Sequence, residues 1–564
     1  MAKTPTSIGT PAQFERVSPQ ADTAELKKAR GAFFTPREVA DFLTGWAIRT
    51  SDDLVLEPSC GEAAFLLSAG RRLRHLSAGS AARHRIHGVE LHSASAEQAR
   101  VLLQESELEA DIYVGDFFDF RASEHYDAVV GNPPYVRYQG FTGTSRLKAQ
   151  TAALAQGVRL TALASSWAAF MIHAASLLGP GGRLALVIPA ELLAVNYARE
   201  VRRFLMSRFR KVGLVTFNKR IFPDVLEEVI LLLAEGEGPT DHFEIYKAGN
   251  LNDLKNLEDL RCVWVPPDPY GKWTAALIEP AAAEMYVELT TSAKFTPLLT
   301  WGKTSLGMVT GNNRYFTLAA QEVAELNLRT SELLAISPPG SRHLRGLTLS
   351  SPAWDELALQ DKRIYLFYPR ADSPSGAAGR YIAEGEQNGV DQAYKCRVRN
   401  PWWRVPLISV PDLFFTYMND VAPRLVENRA GVRHLNSIHG VYLREGLRGL
   451  GANLLPLAAL NTVTLLGAEI VGRSYGGGIL KLEPKEADLL PVPSIEVLTA
   501  ASSGLRTLRP KVAALLGQGA LLEAVEVVDK VLLESRIGVR TSQLGTLRKA
   551  WRTLFDRRQT RAGK

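Results

Sequence analysis

Between Leu54 and Tyr135, four short apolar runs each end in a polar or aromatic residue, and this constrains the chain more than any other feature. Leu54-Val55-Leu56 leads into Glu57-Pro58-Ser59-Cys60-Gly61, and Ile86-His87-Gly88-Val89 ends in Glu90. Ile112-Tyr113-Val114 runs into Gly115-Asp116-Phe117, and Tyr126 to Gly131 ends in Asn132-Pro133-Pro134-Tyr135. Short apolar runs bounded by turn residues read as buried strands. Helical stretches separate the first three. That alternation predicts a mostly parallel α/β sheet whose ligands sit beyond the carboxyl ends of the strands.

The residues at those ends have distinct chemistries. The small-residue turn after Glu57 lets backbone amides approach a ligand. An acid at Glu90 suits a pair of ribose hydroxyls, although a solvated strand-end glutamate reads the same way. Asp116 can accept from an amino group while Phe117 packs on a ring. Asn132 offers an amide oxygen. Pro133 has no N–H but keeps its carbonyl, and two prolines stiffen the turn. Tyr135 adds a flat face. Two acceptors beside a stacking ring suit a planar ligand with an NH2 group, such as adenine. Upstream, Thr35-Pro36 predicts a helix with Thr35 as N-cap and proline at its first position, followed by Val39, Phe42, Leu43 and Trp46 at helical spacing.

In order and spacing these segments resemble the class I S-adenosylmethionine-dependent methyltransferases. More narrowly, they resemble the TaqI-type (gamma-class) N6-adenine DNA methyltransferases of restriction–modification systems. The resemblance covers residues 31–235 and implies a Rossmann-like catalytic domain. It implies S-adenosyl-L-methionine as cofactor, held by Thr35, Glu57, Pro58, Cys60, Gly61, Glu90, Asp116, Phe117, Asn132 and Phe170. Asn132, Pro133, Pro134 and Tyr135 are its catalytic tetrapeptide, and Phe222, before Pro223, supplies a second ring for the target base. Ala63 stands where many members have a second glycine. The same Asn-Pro-Pro-Tyr site also occurs in RNA and protein-glutamine N-methyltransferases, which is the alternative reading.

At 564 residues the chain exceeds one ordinary core. The expected division is a tail over 1–30, a catalytic domain over 31–245, a connector over 246–297, a mixed α+β target-recognition domain over 298–495 and a basic helical segment over 496–564. Two stretches in the fourth part loosely resemble the opening and closing of the family's recognition domain. There, cations interleave with rings, and Arg397, Arg399, Trp402, Arg404, Arg473 and Tyr475 are candidate DNA contacts. After Arg548 the chain reads as a solvated basic tail or as a phosphate contact. Duplex DNA is the expected partner, with a cognate restriction endonuclease or other defence-system protein as a second; one recognition module permits action as a monomer. Three widely spaced cysteines form neither a disulfide framework nor a zinc site, and no metal is expected. The start lacks a signal pattern and no apolar run reaches the ~20 residues a bilayer needs, so a cytoplasmic setting is expected.

Overall fold

A computed structural model describes residues 35–77, 85–218, 221–222, 228–372, 374, 376–475 and 477–560. The expected tail, residues 31–34 of the expected catalytic domain and Pro223 lie outside the described residues. The chain divides into two compact units, one of residues 1–192 and 197–263, the other of 193–196 and 264–564.

The first unit is built on one sheet. Its strands are β1 (Val55–Glu57), β2 (Ile86–Glu90), β3 (Asp111–Val114), β4 (Tyr126–Gly131), β5 (Leu178–Pro189), β6 (Lys211–Phe217), β7 (Val229–Glu235), β8 (Phe243–Ala248) and β9 (Arg261–Trp264), in the spatial order 3-2-1-4-5-7-6-8-9. β1 pairs in parallel with β2 and β4, β2 with β3, β4 with β5, and β6 with β8. Only β7 runs antiparallel to both neighbours. Leu184 to Ile188, in the middle of β5, is at most 1% exposed, as a strand covered on both faces must be. The helices here include α1 (Arg37–Ala47), α2 (Ala64–Leu76), α3 (Ser93–Glu105), α4 (Gly143–Ala155) and α5 (Ser166–Ser176).

Strand order reverses between β1 and β4, and at such a switch point the adjoining loops part and leave a crevice. One detail differs from the sequence expectation. The helix α1 starts at Arg37 with Pro36 as its N-cap, so Thr35 lies one residue outside and its hydroxyl is used elsewhere. Gly179-Pro180-Gly181-Gly182 lies inside β5. The pairing of β5 with β4 jumps from Leu178 opposite Tyr126 to Arg183 opposite Ala128, so these residues form a bulge within the strand.

Residues 246–297 are not a bare connector. They contribute β8 and β9 to the first unit's sheet and the helix Pro280–Thr291 to the second. The second unit holds a five-stranded sheet, two three-stranded sheets and a two-stranded one. Its chain then runs through helices Ile495–Gly517 and Leu521–Asp529, a π-helical stretch Lys530–Ile537 and the helix Thr541–Thr560.

This unit buries His434 and His439 and half-buries His343. Burial pushes His343 and His434 down to about 4 and lowers His439. His434 is 0% exposed and neither ring nitrogen has a partner among the described residues. These imidazoles are neutral in the fold and titrate near 6.5 once unfolded. Their contribution is therefore complete above about pH 6.5 and is lost with acid, for His343 and His434 as pH falls toward 4, at about 1.4 kcal/mol per pH unit for each proton taken up. Urea unfolding at pH 7, 6 and 5 should show a midpoint that drops with acid; an unchanged midpoint at pH 5 would contradict this.

Candidate active site

The site is assembled from the carboxyl ends of β1, β2 and β4. Glu57, the last residue of β1, is 2% exposed, and its carboxylate accepts the Leu66 N–H of α2 at 2.9 Å. Burial, with a smaller contribution from the neighbouring Glu90 charge, pushes its carboxyl well above the usual carboxylate range. Among the described residues no cation pairs with it. In the turn that follows, the Cys60 N–H donates to Val89 O and the Gly61 N–H donates to Glu90 Oε2, each at 2.9 Å. The other oxygen of Glu90 accepts the His92 N–H at 2.9 Å. Each oxygen keeps a second lone pair. Cys60 is 3% exposed and burial raises its thiol, so it lines the turn as a small apolar group.

Ala63 takes a left-handed φ of 64° just before α2. That conformation costs an L-residue about 1–2 kcal/mol, which is the physical reason a glycine is common here. Ala63 is 0% exposed, so burial of its methyl offsets part of the strain. Gly131 answers a different need. A Cβ there would lie 3.3 Å from Pro58 Cδ, so a side chain would wedge the end of β4 away from the turn after β1.

Asn132 follows directly. Its Nδ2 donates to Thr35 Oγ1 at 3.2 Å, and its Oδ1 accepts the Tyr135 hydroxyl at 2.6 Å. The same hydroxyl lies 3.0 Å from Val187 O on β5. The Ser59 hydroxyl donates to the Asn132 carbonyl at 3.2 Å, linking the two turns. Tyr135 is 8% exposed and Phe222 3%, so neither ring is an open platform as expected from the sequence.

Ser166, at the start of α5, was not singled out in the sequence. Its Oγ accepts the Val136 N–H at 2.9 Å and donates to Pro134 O, while its own N–H donates to Val136 O at 3.0 Å. It clamps the chain on either side of Tyr135. Nothing local marks it, because the partners lie 30 residues away.

The expected adenine-contacting residues come together in a different arrangement. Phe117 and Phe170 stack on each other, with ring centroids 5.2 Å apart and planes at 27°, so no third ring fits between them. Asp116 caps its own turn through the Phe118 N–H at 3.0 Å and faces Lys148 Nζ at 3.4 Å. Lys148, on α4, is a second residue that the sequence did not flag.

The six candidate DNA contacts divide. Arg399 donates to the carbonyls of Thr310 (2.7 Å) and Val309. Arg404 pairs with Asp372 at 2.7 Å and donates to the carbonyls of Arg370 and Ala371. Arg473 pairs with Glu483 at 2.9 Å, and the Trp402 indole donates to Glu386 at 3.0 Å. These four knit their own unit together. Arg397 and Tyr475 remain exposed.

The family model for N-6 DNA methylases matches residues 20–260, and that for the C-terminal domain of the type II methyltransferase M.Eco57I matches residues 270–533. The type II methyltransferase M.AccI of Acinetobacter calcoaceticus is 22% identical over 491 residues, 84% of this chain and 87% of the relative. M.XamI of Xanthomonas campestris pv. amaranthicola is 25% identical over 487 residues, 83% and 86% of the two chains. Among solved structures, the type IIL restriction–modification enzyme MmeI in complex with DNA aligns over 94% of this chain and 75% of that one, with a TM-score of 0.54 at 12% identity, a likeness of fold.

Proposed function

The chain belongs to the gamma-class N6-adenine DNA methyltransferases of restriction–modification systems, and on that premise we propose that Asn132 and Pro133 receive the amino group of an adenine flipped out of duplex DNA and present its N6 for methylation. The observation that carries this reading is the Asn132 amide, held by two hydroxyls at the carboxyl end of β4 and at the switch point of the sheet.

The cofactor would be S-adenosyl-L-methionine, which supplies an electrophilic methyl group. The residues present fit it. Glu57 is a buried carboxyl group with no cation beside it among the described residues, and an ammonium group placed there would favour its ionised form. Glu90 keeps lone pairs for hydroxyls, and the Phe117–Phe170 pair adds apolar surface. Thr35, Pro58, Cys60, Gly61 and Asp116 complete the surround.

The N6 lone pair is delocalised into the adenine ring and is a weak nucleophile. Two hydrogen bonds from the NH2 group, to Asn132 Oδ1 and the Pro133 carbonyl, favour a more tetrahedral nitrogen and free that lone pair. Catalysis is then positioning and electrostatics, with no need for a strong base. Flipping costs a few kcal/mol. Stacking on Tyr135 and Phe222 would return roughly 1–3 kcal/mol per base. Both rings are buried in this structure, so they must rearrange as DNA binds.

Nothing in the comparisons favours an RNA or protein substrate, since both long relatives are type II methyltransferases. The test is to express the chain in cells lacking adenine methylation and to read modified bases across their DNA. N6-methyladenine at one recurring sequence is the expected result. Unmodified DNA from cells containing the folded, cofactor-binding protein would overturn the proposal.

A further inference from the structure

Two serines meet the Asn132–Tyr135 segment through main-chain groups, whose polarity is fixed: an N–H can only donate and a carbonyl can only accept. The Ser59 hydroxyl, from the turn after β1, donates to Asn132 O at 3.2 Å. The Ser166 hydroxyl, at the start of α5, accepts the Val136 N–H at 2.9 Å, so its own hydrogen goes to Pro134 O. The carbonyl before Pro133 O and the one after it are thus both taken. Among the described residues Pro133 O, which lies between them, meets no donor. It is the carbonyl left open to an arriving NH2 group.

A carbonyl points where its peptide plane points. Ser59 holds the plane that joins Asn132 to Pro133, and Ser166 holds the plane that joins Pro134 to Tyr135. The Pro133 carbonyl belongs to the plane between them. The rings of both prolines lock φ at about −65°, so only two ψ torsions connect the three planes. With the outer planes held, the middle one cannot turn alone. Ser166 is 1% exposed and its N–H donates to Val136 O at 3.0 Å, so the anchor is itself fixed.

We propose that the hydroxyls of Ser59 and Ser166 aim the Pro133 carbonyl at N6, making both serines positioning residues for the transfer. This rests on the role given to Pro133 above. Neither serine needs to touch the base.

The first test compares kcat for methyl transfer to duplex DNA at saturating cofactor and DNA. Ser59→Ala and Ser166→Ala should each lower kcat about tenfold, the worth of one hydrogen bond. Ser59→Thr keeps a hydroxyl at a half-buried position and should stay within about twofold of the unsubstituted protein. The second test measures DNA affinity with the demethylated cofactor, S-adenosyl-L-homocysteine, bound. One duplex carries adenine at the target position and the other carries purine, which has a hydrogen in place of the NH2 group. In both alanine variants the ratio of the two dissociation constants should move about three- to tenfold toward purine, because only adenine can use the Pro133 carbonyl. A merely structural loss would weaken both duplexes alike. Parental kcat in either alanine variant would overturn the proposal. So would an unchanged adenine-to-purine ratio, or a Ser59→Thr variant as impaired as Ser59→Ala. Should Ser166→Ala not fold, the two Ser59 variants still decide. If the unsubstituted protein left adenine unmethylated, the assigned reaction would be at fault, not the aiming of the carbonyl.

Discussion

Asn132→Ala is expected to fold, to retain its cofactor site and to lose about 10²–10³-fold or more in methyl transfer. Removing one preorganised group that acts on charge developing in the transition state costs that much in other enzymes, and in the proposed mechanism the lost oxygen is one of two acceptors offered to N6. The cofactor site should survive because it is held by other contacts. Glu57 and Glu90 are fixed by the backbone N–H groups of Leu66, Gly61 and His92, none of which touches the Asn132 side chain. The Ser59 link runs to the Asn132 main-chain carbonyl and is indifferent to the substitution. Tyr135 keeps Val187 O as an acceptor, and only Thr35 loses its partner, a cost of about 1 kcal/mol. Single-turnover transfer to DNA measured beside cofactor binding by calorimetry decides the matter. Transfer at the parental rate would remove Asn132 from the mechanism.

The second large effect is on stability. Arg558→Met should destabilise the second unit by about 3–5 kcal/mol, the usual result of breaking a buried ion pair by removing one partner. Arg558 is 2% exposed and Glu469 6%. The guanidinium meets Glu469 twice, at 2.7 and 3.1 Å, and donates to the carbonyls of Asp420 (2.9 Å), Val421 (3.3 Å) and Gly478. Its loss leaves the buried Glu469 charge without its guanidinium, while the Asp420 and Gly478 carbonyls keep Gln559 Nε2 at 3.1 and 3.3 Å. The double variant with Glu469→Leu should recover much of the loss, because the stranded charge goes too. Denaturant unfolding measures both. A phosphate-binding role predicts something else: unchanged stability, weaker DNA binding and a smaller salt dependence.

That residue marks where sequence reasoning stops. After Arg548 the composition is basic, and a local count of charge reads as a solvated tail or a polyanion contact. In the fold, Arg548 pairs with Asp529 at 2.9 Å and Arg558 with Glu469, partners 19 and 89 positions away. Arg399, Arg404 and Arg473, candidate DNA contacts on the same reasoning, hold carbonyls and acids of their own unit. Charge is visible in a sequence; whether it is already neutralised is not.

The catalytic half was far more legible. Each strand end announced itself by an apolar run and the residue that closed it, so Glu57, Glu90 and Asn132 were placed correctly at one sheet edge. Local chemistry carries that information: runs of Val, Leu and Ile make buried strands, and glycine and proline end them. Hydrogen-bond partners carry none of it. Thr35 was read as a helix cap and lies one residue outside the helix, where it receives the Asn132 amide across 97 positions. Ser166 gave no signal at all. Phe117 and Phe170 were both expected at the adenine site, yet only the packing of α5 against the turn after β3 makes them a stacked pair rather than two walls. The sequence by itself therefore determined which residues end at the carboxyl edge of a parallel sheet, because that depends on periodicity and turn chemistry within a few residues. The tertiary structure alone decided which hydroxyl holds which amide and which arginine is spent on its own fold, because those outcomes depend on distances between residues that no local pattern relates.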